Sequence, residues 1–386
     1  MEQLFDIIPE TPQQRLKKEV LDILKSGDFI FDTHTHIFGM EYLPEKYFSL
    51  RLPYIVDTEF LMYVNENLRE EFLGEDNLLY FIKYYKFLKK NNSEQIARFL
   101  IENSPPNTIF ALITMDFTGI DPKPPKSFAT QIEETKKIID LFPNKFIPFF
   151  SINPKNISNP LMLPRVFSKP YNFFGVALYP SLGYMPSHPT LMKLYEVFEK
   201  KRIPVITNSS YSNIHTTRNL HKLLYWDYDS EKQKFKLKKQ TKIFWFKKQY
   251  IKFFNNPDNW RPILKKHPNL YLNFTHSGGI EAWEDEKNCD TWLCSIIDLM
   301  ERYPNVYADI SYLIGYENFA QKFLDLYHRN KIFADRVMFG TDFHFVMIEG
   351  FYNILRSRFV NTIGSEIMNK ISRINPLKFL SLEAFI

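Results

Sequence analysis

Eight short apolar runs punctuate the chain, at residues 29–33, 109–115, 146–152, 174–179, 203–207, 270–275, 306–310 and 337–340. Several are apolar at nearly every position, as expected of parallel strands covered on both faces. Between them the apolar positions recur with helical period. Leu191, Leu194, Tyr195 and Phe198 follow the i, i+3, i+4, i+7 spacing. Trp292, Leu293, Ile296, Ile297 and Met300 form a comparable stripe, as do Phe319, Phe323, Leu324 and Tyr327. A repeated strand-then-helix order predicts an α/β fold with a parallel sheet, and eight such units predict closure into a (β/α)8 TIM barrel. An open doubly wound sheet is the alternative, but no glycine-rich phosphate loop follows any of the strands.

Two excursions interrupt the pattern. The first, about residues 38–107, holds amphipathic stretches at 60–72 and 78–88 and follows the first strand, where a barrel's active-site loops lie. A helical cap over the site is expected there. The second, about 209–259, follows the fifth strand; residues 226–228 and 235–237 flank a polar centre and predict a hairpin. With no internal repeat or low-complexity linker, the whole of 1–386 reads as one domain with two insertions.

Charge changes this picture little. The net charge of +5 is concentrated in residues 231–248, which hold eight lysines against one glutamate; without that +7 segment the rest of the chain stands at −2. This is a local excursion, best read as solvated with its aromatics packed down, and not the field that tracks nucleic acid. Two cysteines, Cys289 and Cys294, make neither a disulfide framework nor a four-thiolate zinc site, and read as buried reduced thiols. No signal peptide and no membrane-length apolar run is seen, so a soluble, cytoplasmic protein is expected. A small-molecule substrate is expected as partner, with no nucleic acid and no membrane; oligomerisation with itself is left open.

The candidate chemistry gathers at strand ends. Asp32-Thr33-His34-Thr35-His36 closes the first strand, and alternate side chains of a strand share a face, so His34 and His36 point the same way. Two imidazoles converging there can grip a metal such as zinc, with Asp32 behind them. Asp342 leaves the eighth strand in Gly340-Thr341-Asp342 and offers a third ligand and a proton acceptor; capping the following helix is its alternative role. His276 emerges after the sixth strand in Thr275-His276-Ser277-Gly278-Gly279. Three histidines and an aspartate arriving at one barrel rim point to one centre. Tyr179, His344 and His215 are pocket candidates, with packing or surface placement as their alternatives. Tyr184 is another candidate better read as packing, and Asp309 reads as a buried core carboxylate.

As a set, these motifs resemble the amidohydrolase superfamily, in its amidohydrolase-2 branch, which includes aminocarboxymuconate-semialdehyde decarboxylase. The resemblance runs through the opening histidine pair, residues 175–180 with Leu182-Gly183, Ile203-Pro204-Val205, 256–260, 273–279, 308–311, 339–342 and Asn375-Pro376. It implies that His34, His36 and Asp342 bind metal, that Asp342 also carries protons, and that His276 binds metal, polarises substrate or positions water. Two positions depart from the family pattern. Asn208 stands where a metal-binding histidine is expected, leaving Asn208, His276 or the nearby His215 to complete the ligand set. Ala177 stands where some relatives carry a bridging lysine, which argues against a two-metal centre.

The expectation is therefore one divalent ion, zinc first and manganese or iron behind it. The first functional reading is a metal-dependent hydrolase of a small amide, lactone or related carboxyl derivative, with Asp342 moving protons and His276 stabilising the oxyanion. A non-oxidative decarboxylase is the second. The third is a barrel that has lost catalysis and serves as a binding protein, a reading that Asn208 supports.

Overall fold

The computed structural model describes residues 8–9, 11–44, 75–120, 123–156, 158–210, 224–229, 231–239, 247–284 and 291–386. Its strands are β1 (Ile30–Thr35), β2 (Thr108–Ile113), β3 (Phe146–Ser151), β4 (Gly175–Leu178), β5 (Val205–Asn208), β6 (Leu224–Asp229), β7 (Lys234–Lys239), β8 (Leu272–Thr275), β9 (Val306–Asp309) and β10 (Val337–Met338). Eight of them pair in the order β1-β2-β3-β4-β5-β8-β9-β10, all parallel. Thr33 bridges the seam between β1 and the end of β10, its N–H and its hydroxyl both donating to the Phe339 carbonyl at 3.0 and 2.8 Å. The barrel is thus nearly closed, and the eight expected strands are present.

The strands are rich in apolar residues because both faces are covered, with polar residues gathered mainly towards their C-terminal ends. Ile109, Phe149, Val176, Val205, Leu272 and Val306 are fully buried, packed beneath helices such as Pro189–Lys200 and Trp292–Arg302. Each such side chain contributes roughly 1.5–3 kcal/mol relative to exposure. Arg15 lies buried beside β4: its guanidinium donates to the carbonyls of Lys201 and Arg202 at 3.0 and 2.9 Å and stands over the Phe174 ring.

Between β1 and β2 the chain runs through helices Glu75–Lys90 and Ser93–Glu102, the second opened by an Asn92/Gln95 capping box. Tyr84 of the first packs on His344 and Phe345 of helix Phe343–Glu349, which follows β10. Between β5 and β8 stands the expected hairpin, β6 with β7, antiparallel from Leu224↔Lys239 to Asp229↔Lys234. Every residue of β7 is exposed, so Phe235 and Leu237 are not packed down as their sequence context suggests. Phe235 packs on the ring of Tyr228. Phe244, Trp245 and Phe246 lie outside the described residues, as do Cys289 and residues 60–72; Cys294 is only half-buried.

Candidate metal centre

β1 carries its two histidines on a strand pinned from both sides. Thr33 is fixed to the β10 side, and the Thr35 hydroxyl donates to the Ala111 carbonyl of β2 at 2.8 Å. The threonines of the Asp-Thr-His-Thr-His run thus anchor the backbone. Register with β2 slips by one residue between Asp32 and Thr35, a bulge of the kind that re-aims side chains beside active sites. The strand continues to Thr35, two residues beyond the predicted end, because these polar side chains find partners within the barrel.

His34, His36 and Asp342 converge, each buried, with one ligand atom from each lying within 4.8 Å of the others. The Nε2 atoms of His34 and His36 are 3.3 Å apart, and His36 Nε2 lies 4.0 Å from Asp342 Oδ1. Asp342 sits in the left-handed region (φ 48°, ψ 49°), tied to β1 by its N–H donating to the His34 carbonyl at 2.8 Å. That conformation is uncommon outside glycine, Asn and Asp, and such strain collects at functional sites. His276 (φ 60°) and Ser277 (φ 45°) share it after β8.

Hydrogen bonds determine which ring nitrogens carry protons. His36 Nδ1 lies 2.8 Å from the Ile113 carbonyl, which only accepts, so Nδ1 holds the proton and Nε2 presents a lone pair. The same holds for His276, whose Nδ1 is 3.0 Å from the Ser311 carbonyl. Burial, reinforced by the charge on His34, pushes His276 down to about 4 and His36 well below the ordinary histidine value. Both rings are neutral at pH 7. Burial works against charge on His34 too, but Asp309 and Asp342 outweigh it and raise its pKa.

Two ring nitrogens at 3.3 Å share either a neutral N–H···N hydrogen bond or an ion held between them. Donors about 2.0–2.1 Å from a tetrahedral zinc lie roughly 3.3 Å apart, the separation seen. Asp342 Oδ1 is buried without a hydrogen-bond partner, and burial pushes that carboxyl up to about 7. The donor set fits a divalent cation.

The carboxylates behind these residues are more heavily used. Asp32 accepts from the N–H groups of His34 (3.2 Å) and Thr341 (2.9 Å) and from the Thr341 hydroxyl (2.6 Å). Asp309, read from the sequence as a core carboxylate, lies at the site. Its Oδ2 is 3.8 Å from His34 Nδ1 and accepts from Asn273 at 2.6 Å. Its Oδ1 accepts from the N–H groups of His276 and Ser311 and from the Ser311 hydroxyl. Asp309 stays ionised, at about 2, because His34 and its other partners outweigh the effect of burial.

The remaining candidates fall into four groups. Asn208 ends β5 beside Thr275, but its Oδ1 accepts from the Asn255 amide at 2.7 Å and from the Ser210 N–H at 3.4 Å. Tyr179 faces His36 with ring centroids 6.4 Å apart, while the Tyr184 hydroxyl bonds the backbone of Ile152 and Tyr179. His344 is fully buried among Phe38, Tyr84 and Phe343 with neither ring nitrogen hydrogen-bonded, and burial pushes it down to about 3. His215 lies outside the described residues.

The family model described as amidohydrolase matches residues 170–382, more than half of the chain. The chain belongs to the amidohydrolase family. The matched stretch carries Asn208, His276, Asp309 and Asp342, whereas the histidine pair of β1 precedes it. No curated protein matches the chain. Among solved structures, an uncharacterised TIM-barrel protein from Bordetella bronchiseptica is 15% identical, with a TM-score of 0.54 over 92% of this chain and 100% of that one. A 2,6-dihydroxybenzoate decarboxylase from Rhizobium is 13% identical (TM-score 0.53, 92% and 99% covered). A 5-carboxyvanillate decarboxylase from Novosphingobium aromaticivorans, complexed with manganese and a nitrobenzoic acid, is 13% identical (TM-score 0.54, 93% and 97% covered). At these identities the likeness is one of fold. No helix among the described residues is long and apolar enough to cross a membrane.

Proposed function

We propose that this amidohydrolase-family chain is a hydrolase that uses one divalent metal ion to cleave a small amide, lactone or related carboxyl derivative. His34 Nε2, His36 Nε2 and Asp342 would hold the ion, and the 3.3 Å approach of the two Nε2 atoms beside a buried carboxylate carries the reading. Two imidazoles and a carboxylate place zinc first, with manganese, the ion in the Novosphingobium structure, or iron next. When bound, the ion supplies Lewis acidity that makes water a nucleophile near neutral pH.

The chain's own residues do the rest. Asp342, through the carboxylate oxygen that does not hold the ion, accepts the proton of the attacking water and returns it to the leaving group. His276 is neutral with its proton on Nδ1, so its Nε2 accepts. This supports orienting the water, one of the roles the resemblance implies, over the oxyanion stabilisation expected from the hydrolase reading. Asn208 keeps its oxygen on Asn255, which supports a three-residue ligand set.

Elemental analysis of protein purified without chelator or metal-binding tag tests the reading. About one ion per chain, absent from His34→Ala, supports it. A chain that stays metal-free in excess zinc abandons catalysis for the binding-protein reading. Carbon dioxide release from a carboxylate panel, in place of hydrolysis, transfers the assignment to a decarboxylase.

A further inference from the structure

We propose that Asp309 is a positioning residue that locks His34 in its metal-binding tautomer and ties that ligand to His276 through the two oxygens of one carboxylate. The inference rests on the metal reading above. His34 Nδ1 is buried and lacks a conventional hydrogen bond, and the carboxylate oxygen paired with it is Asp309 Oδ2, at 3.8 Å. A carboxylate only accepts, so it favours the proton on Nδ1 and leaves the Nε2 lone pair for the ion. Asn273 holds the same oxygen in place at 2.6 Å.

The other oxygen serves His276. It accepts from the His276 N–H at 3.1 Å, at the residue where the backbone turns left-handed, and from the Ser311 hydroxyl. Because that hydroxyl donates to Asp309, it is an acceptor toward His276 Nδ1, 3.0 Å away. One fully buried side chain on β9 thus faces histidines delivered by β1 and β8 through its two oxygens. Hydrogen-bond donors surround both oxygens, and an amide cannot satisfy them together. In Asp309→Asn, an oxygen kept toward His276 and Ser311 turns an NH2 toward His34 and Asn273. That arrangement favours moving the His34 proton to Nε2, where it blocks the ion.

The test is zinc affinity, measured by competition with a chromophoric chelator on full-length protein, together with nitrogen-15 spectra of the histidine rings. Asp309→Asn is expected to bind zinc roughly 10- to 100-fold more weakly than wild type. Ser311→Ala, which touches only the His276 side, is expected to keep zinc affinity within about twofold. Zinc-loaded wild type is expected to show a His34 Nδ1–H, a readout that does not depend on any variant folding. Unchanged zinc affinity in a folded Asp309→Asn, or zinc-loaded wild type with the proton on His34 Nε2, overturns the role of Asp309 while leaving the metal centre standing. Wild type that binds no zinc removes both.

Discussion

Gly340, between β10 and Asp342, offers a direct probe of how tightly the fold holds the site. A Cβ built there lies 3.1 Å from Ser311 Cβ, 3.1 Å from Thr33 Oγ1 and 3.2 Å from His34 Cβ. Carbon atoms pack comfortably at about 3.5–4.0 Å, so Gly340→Ala forces several tenths of an ångström of movement. None of the three neighbours is the loose end of a flexible side chain: Thr33 is bonded across the seam, and Ser311 and His34 are fully buried. Overpacking of this kind costs about 1–3 kcal/mol. Unfolding entropy of roughly 2 cal/mol/K per residue, over 386 residues, converts that to a melting point about 1–4 °C lower. The displaced group includes His34, a proposed metal ligand, and sites tolerate only about 0.5 Å of misplacement, so zinc affinity should fall along with stability. Calorimetry of the metal-free protein and chelator competition measure the two effects separately. A variant that melts with wild type and binds zinc equally well would refute the claim that the β1–β10 seam fixes the ligand geometry.

Three further outcomes follow from particular contacts. Zinc at a hundred times its dissociation constant should stabilise wild type by about 2.7 kcal/mol, roughly 3 °C for a chain of this size, and leave the His34→Ala melting curve unmoved; equal shifts in both proteins would place the binding elsewhere. Asn208→His should tighten zinc binding by adding an imidazole but lower metal-free stability by about 1–3 kcal/mol, because the Asn255 amide loses its best acceptor; denaturant titration with and without zinc resolves the two signs. His188 caps helix Pro189–Lys200 by accepting the Thr190 N–H on Nδ1, and burial pushes it down to about 4. Between the ordinary histidine value near 6.5 and about 4, the unfolded chain therefore takes up a proton that the folded chain does not. Its contribution is intact above pH 6.5 and is lost as pH falls towards 4, about 1 kcal/mol after allowing for solvent screening of this partly exposed ring. His188→Asn keeps a cap without the titration, so the stability difference between wild type and variant should change over that window; a constant difference would show that the cap does not titrate.

What the sequence revealed, and what it hid, has a physical pattern. Strands β2, β3 and β9 were legible to within about two residues because burial on both faces demands an unbroken apolar run. The end of β1 was not, since its apolar run stops before Asp32 and the strand is carried on to Thr35 by polar side chains such as the Thr35 hydroxyl, which donates to the Ala111 carbonyl. That His34, His36 and Asp342 carry donor atoms able to hold an ion was equally plain, because side-chain chemistry is local, and the fold brings the three together. Their states were not local. Whether His276 donates or accepts at Nε2 depends on the Ser311 carbonyl just past β9, and whether Asn208 is free to coordinate depends on Asn255, distant in sequence. Asp309 is the sharpest case. A lone carboxylate in the apolar run of β9 satisfies every sequence criterion for a buried structural residue, and only closure of the barrel brings it behind a histidine of β1. Sequence motifs can therefore nominate the atoms of such a centre, but its protonation is a property of the closed barrel. This is why Asp309, outside the metal-ligand set, is the residue whose substitution best tests how the centre works.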